Sequence, residues 1–387
     1  MGSVYLGAGG VAKKVKSMYI GVDGVAKKVK KAWIGVGGVA KLFYSSEPSL
    51  TYYKQTTLTS AGSARATYNS NYAMVYYADY KADFFNPSLT KTNKSFSSSI
   101  TGSSMAMGSN ANYHMMAGGA KFSSTGIGNP IATINVFNSN LTYSTTSLNT
   151  AVRNAHTATV NNNYVFWIGG VTNGYSAVVQ ATNNNLTTTT CTSTSGKKYE
   201  TVVGSVGNYV LILGARPDSS ISYTTVVEVY NSSLTKCSNA TSMPSVILMN
   251  KTASNSAYLI AAGGYLQSSK SPTNTAVAYN TNLTQSTTSL SYAPKNHSGI
   301  STEEIAIFAG GYINDNASSA VKTINYFNTS LVRTSPSTSG SNRWNFGGAV
   351  IGNYIILAGG CDGSSYYDSD LESTVYSSMN KVDIYTM

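Results

Sequence analysis

The chain has 387 residues, enough for one large or two ordinary domains, and its 42% hydrophobic content is enough to fill a core, which excludes a disordered protein. With 29 Tyr and 35 Gly against 11% charged residues, and Ser, Thr and Asn in most polar positions, short strands and tight turns are favoured over helices. The net charge of +11 is not a nucleic-acid footprint, because residues 1–43 hold eight Lys and one Asp, +7 of the total, which leaves +4 for the rest.

The chain opens with a fourteen-residue unit written three times. Tyr5 to Lys16 is the first copy, Tyr19-Ile20-Gly21-Val22-Asp23-Gly24-Val25-Ala26-Lys27-Lys28 belongs to the second, and Trp33 to Lys41 belongs to the third. Asp-Gly or Gly-Gly between apolar and Lys-alternating runs predicts a tight hairpin in each. Three small hairpins cannot bury a stable core alone, so residues 1–44 read as an attachment or assembly module. Tyr5, Tyr19, Trp33, Lys27 and Lys28 are its candidate contact residues, and a homo-oligomer would assemble through the same segment. The Gly-Val-x-Gly-Val-Ala-Lys-Lys unit resembles short repeats at the N-termini of virion structural proteins of phages of Gram-positive gut bacteria, where they precede variable C-terminal domains. The resemblance implies a virion location, with other virion proteins as partners of this module. No basic start with a long apolar run marks a secretory signal, and no window approaches the roughly 18 apolar residues of a membrane span. The expectation is a protein made in the host cytoplasm, with no signal peptide, no membrane insertion and no nucleic-acid partner.

A longer repeat begins near residue 45. Apolar runs end in glycine pairs at Gly118-Gly119, Gly169-Gly170, Gly263-Gly264, Gly310-Gly311 and Gly359-Gly360, with Gly214-Ala215 as a near copy and MVYYADY around Tyr77 as a copy without glycines. Between them an aromatic-Asn-x-x-Leu-Thr element recurs at Phe85-Asn86, Phe137-Asn138, Tyr230-Asn231 and Tyr279-Asn280, with Val332 in place of Thr after Phe327-Asn328 and a weaker ATNNNLT at Leu186. Starting from Leu50, the leucines at 89, 141, 186, 234, 283 and 331 are spaced by 39, 52, 45, 48, 49 and 48 residues. Such a period signals blades or solenoid turns. Each unit holds four strand candidates, graded from a buried second strand to a Thr- and Ser-rich outer one, which is the pattern of a propeller blade.

The glycine pair followed by a variable loop and aromatic-Asn-x-x-Leu resembles the kelch repeat over residues 45–387. The resemblance implies an all-β fold, a seven-bladed kelch-like β-propeller preceded by the small repeated β-hairpin module. The family's Trp after the turn is replaced here by small polar residues, a departure in how blades pack. The last unit ends in one strand-c candidate, MNKVDIYTM, while PSLTYYKQ near the start carries the Leu-Thr that opens strand d elsewhere. The expected closure therefore places the N-terminal strand 50–56 beside the C-terminal strand 382–386.

Little in the chain suggests chemistry. Cys191, Cys237 and Cys361 share no ligand spacing, and His114, His156 and His297 fall at unrelated positions, read as turn or strand-surface residues. Kelch-type copper oxidases need a Tyr, Cys and His constellation, and sialidases need an arginine triad with Asp-box turns; neither is present. The expectation is no enzyme and no cofactor. Asp362, Asp368 and Asp370 form the candidate metal group, but the run lacks the glycine spacing and ligand count of an EF-hand loop and reads as solvated. Asn-x-Ser/Thr sequons such as those at Asn140, Asn231, Asn282 and Asn328 read as turn chemistry, Asn tolerating left-handed geometry.

Strand alternation puts the d-to-a and b-to-c connections on one face. The b-to-c loops are long and irregular, and their Phe122, Tyr175, Tyr223, Tyr265, Tyr312, Tyr366 and Tyr367 are the candidate ligand-binding residues, since Tyr gives contact area at small entropic cost. The function expected is that of a phage virion appendage, a tail or head fibre or adhesin-like protein whose loops bind a host-surface receptor or glycan. The alternatives are a purely structural virion decoration or assembly protein, and a propeller glycan-processing enzyme.

Overall fold

The computed structural model describes residues 5–8, 11–14, 19–22, 25–29, 31–36, 39–45, 48–78, 80–96, 105–123, 126–199, 201–215, 223–248, 251–313, 317–368 and 373–387. Among these residues the protein is all-β, with one 3-10 turn, Ala317–Ser319. It divides into two units, Met1–Ser49 and Leu50–Met387.

In the first unit the fourteen-residue repeat becomes three antiparallel pairs, Tyr5–Ala8 with Val11–Lys14, Tyr19–Val22 with Val25–Lys28, and Lys31–Val36 with Val39–Ser45. The register is the same in each, Gly7 opposite Ala12, Gly21 opposite Ala26 and Gly35 opposite Ala40. Tyr5 faces Lys14, Tyr19 faces Lys28 and Ile20 faces Lys27, whereas Trp33 faces Leu42 beside a bulge between Ala32 and Trp33.

Among the described residues, seven antiparallel sheets of the second unit follow one plan, and three smaller ones lie in the connections between their strands. In chain order their first strands are Arg65–Tyr68, Ala106–Ser109, His156–Val160, Val202–Val206, Lys251–Ser254, Ser298–Ser301 and Gly347–Ile351. Each sheet continues through a second and a third strand, and all but the fourth end on a fourth strand. In the fourth sheet isolated bridges, Tyr230 with Lys236 and Val227 with Ala240, stand in the outer place. Each first strand touches the first strand of the next sheet, and Gly347–Ile351 touches Arg65–Tyr68, so the contacts run in a cycle. Seven apolar clusters fill the spaces between consecutive sheets in the same cycle. The space between the seventh and first sheets, for example, holds Val75, Tyr77 and Phe85 against Ile356, Val382 and Ile384. This explains the near-continuous apolar second strands such as Tyr258–Ala262: both of their faces are covered.

The seventh sheet takes its outer strand from the other end of the unit. Thr51–Thr57 pairs antiparallel with Lys381–Thr386, Thr57 opposite Lys381 and Thr51 opposite Thr386, where the sequence places 50–56 beside 382–386. Tyr52 packs edge-on against Tyr385 at 5.5 Å.

The glycine pairs sit where the second strand meets the connection that enters the next first strand. Gly119 donates its N–H to the Val152 carbonyl, Gly170 to Lys198, Gly264 to Pro294, Gly311 to Arg343 and Gly360 to Gly62. A β-carbon on Gly118 (φ 69°) would lie 2.1 Å from the Val152 carbonyl oxygen. Backbone approach, combined with left-handed φ, is thus what selects glycine. Gly118→Ala is expected to lower the unfolding free energy by at least about 1–3 kcal/mol from the backbone conformation alone. The urea midpoint would fall at constant slope; an unchanged midpoint would show that the linker has room to retreat.

A further recurrent device lies in the third strands. Three residues before the turn Asn, or before Thr386 in the last sheet, stand Asp83, Asn135, Gln180, Glu228, Asn325 and Asp383, all at 0–1% exposure. Five of them accept a backbone N–H from the segment that arrives from the preceding sheet: Asp83 from Thr59 (2.8 Å), Gln180 from Thr150 (2.8 Å), Glu228 from Ser195 (2.9 Å), Asn325 from Ser291 (2.7 Å) and Asp383 from Ser341 (2.7 Å). Buried polar groups need such partners, so each of these sheets grips the incoming chain. In the fifth sheet the same place is held by Val277, which packs instead with Met243 and Ile247 of its incoming segment.

Candidate functional site

The two ends of the sheet cycle differ. At one end lie the turns from third to fourth strand, and six are alike. The Oδ1 of Asn86, Asn138, Asn183, Asn231, Asn280 and Asn328 accepts the N–H groups two and four residues on, as in Asn280 with Asn282 and Thr284, both at 2.9 Å. The left-handed residue of these turns is the leucine, with φ of 56–63° at Leu89, Leu141, Leu186, Leu234, Leu283 and Leu331, not the asparagine expected from propensity. Each leucine packs into an inter-sheet cluster, which offsets its backbone strain.

At the other end the connections from second to third strand meet the segments entering the first strands. These connections carry extra pairing, Ala120–Ser123 with Gly126–Pro130, Tyr265–Leu266 with Ser271–Pro272, and Cys361–Asp368 with Ser373–Ser378. The first sheet differs, having only a tight turn through Tyr80 between Ala73–Ala78 and Lys81–Phe85. Of the residues singled out in the sequence, Tyr175, Tyr223, Tyr265 and Tyr312 are half-buried. Phe122 lies opposite Ile127, Tyr366 opposite Val375 and Tyr367 opposite Thr374, and their side chains lie outside the described residues.

Partners that the sequence reading missed come from the entering segments. Tyr199 stacks flat on Tyr175, with centroids 4.4 Å apart and planes at 7°. Trp344 meets Tyr312 edge-on at 5.7 Å and Tyr376 at 5.4 Å. The Lys295 ammonium lies 4.4 Å from the Tyr265 ring centroid, and the Lys295 backbone bridges to Tyr312. Tyr265, Lys295, Tyr312, Trp344 and Tyr376 therefore form a continuous strip across the fifth, sixth and seventh sheets. The signal available in the sequence was the position of Tyr199 and Trp344, each just ahead of a first strand.

Between the first strands at this same end is a cavity of about 530 Å³. The leading residues of all seven first strands line it, Arg65, His156 and Lys251 being the ones with basic side chains, and left-handed Asn154, Asn296 and Asn345 rim it. It continues toward the opposite end as a second cavity of about 520 Å³ that shares Thr157, Val203 and Thr252. Arg65 and Lys251 keep contact with water through the opening, yet protein surrounds them. Burial first, and then the Arg65 charge, pushes the Lys251 ammonium below its ordinary value. Burial holds His156 down to about 4 and His297 down to about 3, the Lys251 charge adding to both, so both rings are neutral at pH 7. Among the described residues no carboxylate lines this cavity. Glu200, next to the lining residue Thr201, is outside them.

The histidines correct the expectation of turn or strand-surface residues. His114 is buried at 1% exposure with Nδ1 2.7 Å from Ser109 Oγ, His297 is buried at 2%, and His156 is half-buried on the cavity wall. The cysteines are free. Asp362 Oδ1 accepts the Ser364 N–H at 2.9 Å and its hydroxyl at 2.5 Å, a local turn. Asp368 pairs through its backbone with Ser373, while its side chain and all of Asp370 lie outside the described residues. Among the described residues no three of His, Cys, Asp and Glu are grouped to hold a metal ion, and no helix is long and apolar enough to cross a membrane. No known protein family matches the chain, and no curated protein matches it either.

Proposed function

We propose that residues 50–387 are a seven-bladed, kelch-like β-propeller acting as the non-catalytic binding head of a phage virion appendage, and that the hairpin repeats of residues 1–44 attach it to other virion proteins. The cycle of first-strand contacts, the seven inter-sheet clusters and the outer strand Thr51–Thr57 supplied from the opposite end support the propeller. Support for the virion assignment comes from the fourteen-residue repeat and its uniform hairpin register.

The observation that carries binding is the inequality of the two ends. Six identical Asx turns occupy one, whereas the other gathers extended connections and half-buried rings, including the strip from Tyr265 to Tyr376. Aromatic faces stack on sugar rings, and flanking Asn, Ser and Lys pair with hydroxyls, so a host-surface glycan is the ligand class. Replacement of Tyr265, Tyr312, Tyr366 and Tyr367 by Ala is expected to weaken binding of the purified chain to cell-wall polysaccharide by at least about tenfold, with the thermal midpoint little changed. Ser232→Ala and Thr281→Ala, at the opposite end, leave binding intact. A four-Tyr variant that binds like its parent would favour the structural decoration role, and turnover of the polysaccharide would favour a glycan-processing enzyme.

A further inference from the structure

We infer that the cavity between the first strands is an oxyanion site, with Arg65 and Lys251 as its charged ligands and a phosphate or carboxylate group as its occupant. The inference rests on the cavity and its charges, independently of the loop-face reading.

Arg65 and Lys251 lead the first strands of the first and fifth sheets, so they reach one cavity from well-separated parts of the cycle. By contrast, the buried cations Lys198 and Arg343 are matched by carboxylates. Lys198 and Lys236 each lie 2.6 Å from Glu228, Arg343 lies 2.5 Å from Asp383, and Lys91 lies 3.6 Å from Asp83. Arg65 donates to the Met105 carbonyl, and neither it nor Lys251 has a carboxylate partner among the described residues. Two like charges that feel each other in a confined cavity are relieved by an anion between them. Burial is the larger cause of the lowered Lys251 ammonium, and the Arg65 charge adds to it. The buried His156 Nε2, which has no hydrogen-bond partner, adds a neutral polar wall. The volume exceeds that of a bare oxyanion and falls in the range of small-molecule sites, leaving space for a sugar attached to the anionic group.

The test is calorimetric titration of the full chain, at low ionic strength, with inorganic phosphate, glucose 6-phosphate and glucuronate. Saturable single-site binding is expected for at least one of the three. Response to both phosphates but not to glucuronate would assign phosphorylated ligands, and the reverse would assign uronates. Lys251→Gln and Arg65→Gln are each expected to weaken that binding by at least about tenfold. Lys251→Gln is the deciding variant, because its side chain reaches water and its loss leaves the strand pairing alone; its unfolding midpoint in anion-free buffer should match or exceed the parent's. Absence of saturable binding by all three probes, or equal binding by the Lys251→Gln chain, overturns the inference.

Discussion

Asp383→Ala is expected to lower the free energy of unfolding by about 3–5 kcal/mol, because it leaves a buried guanidinium without its counter-charge. Arg343 and Asp383 are both about 1% exposed at the side chain and 2.5 Å apart. Around them the bonds converge: Arg343 Nη1 donates to the carbonyls of Leu357 (2.8 Å), Gly359 (3.1 Å) and Lys381 (3.3 Å), while Asp383 accepts from Gln55 Nε2 and the Ser341 N–H, both at 2.7 Å. The pair therefore joins the second, third and outer strands of the closing sheet to the segment arriving from the sixth. Removing the carboxylate strands one charge and three donors at once. Pairing Asp383→Leu with Arg343→Met removes both charges and should recover part of the loss, but not all, since the Ser341 N–H still lacks an acceptor. Val277 shows what full replacement requires, an apolar residue facing apolar Met243 and Ile247. Urea unfolding of the single and the double variant against the parent would decide the matter. A single-variant loss below about 1 kcal/mol, the range of an exposed pair, would mean that water reaches the site.

What the sequence made legible is what recurs locally. The fifty-residue period, the glycine pairs and the Asn-x-x-Leu turn each depend on a few adjacent residues, and these reappear at their expected places. The pairing of Thr51–Thr57 with Lys381–Thr386 was legible because Leu50-Thr51 copies the Leu-Thr that follows the turn Asn in five of the other six sheets. The histidines were not, since burial is set by neighbouring sheets rather than by the residue's own turn. Propensity alone assigned the left-handed place in the turn to Asn; the leucines hold it because their side chains complete an inter-sheet cluster, a tertiary gain that overrides a local preference. The polar residue of the third strands lies at a fixed distance from the turn Asn, but its identity varies among Asp, Asn, Gln and Glu, and its partner is a backbone N–H of a distant segment. Tyr199 and Trp344 were not legible because they precede first strands, whereas their partners, Tyr175 and Tyr312, belong to the preceding sheet. Arg65, His156 and Lys251 share one register position at the head of a first strand, which becomes visible only when the strands are aligned by structure.

Removal of residues 1–48 is expected to leave the second unit as stable as in the full chain, whereas removal of residues 1–57 should abolish its cooperative folding. The contact boundary at Ser49 and Leu50 motivates the first expectation. The second follows from what Thr51–Thr57 covers. Without it, Lys381–Thr386 becomes an open edge with unpaired backbone groups, an invitation to intermolecular pairing. Leu50, 6% exposed, and Tyr52 leave the cluster between the sixth and seventh sheets, and Asp383 loses Gln55. Such losses compound, because the same sheet closes the cycle of contacts. A permuted chain separates loss of the strand from loss of chain length. It would begin at Ala61, an exposed residue of the segment leading to the first sheet, run to Thr386, and continue directly into Pro48–Ser60. With Thr386→Asn the junction reads Tyr385-Asn-Pro48-Ser49-Leu50-Thr51, matching the Phe85-Asn86-Pro87-Ser88-Leu89-Thr90 turn of the first sheet. The permuted chain is expected to unfold in one transition at a urea midpoint near that of the 49–387 chain, since the outer strand then follows its neighbour as it does in the other sheets. A folded, monomeric 58–387 chain with an unchanged midpoint would show that the closing strand contributes nothing to the unit, and a permuted chain that stays unfolded beside a stable 49–387 chain would show that the sheet needs its strand delivered from the opposite end.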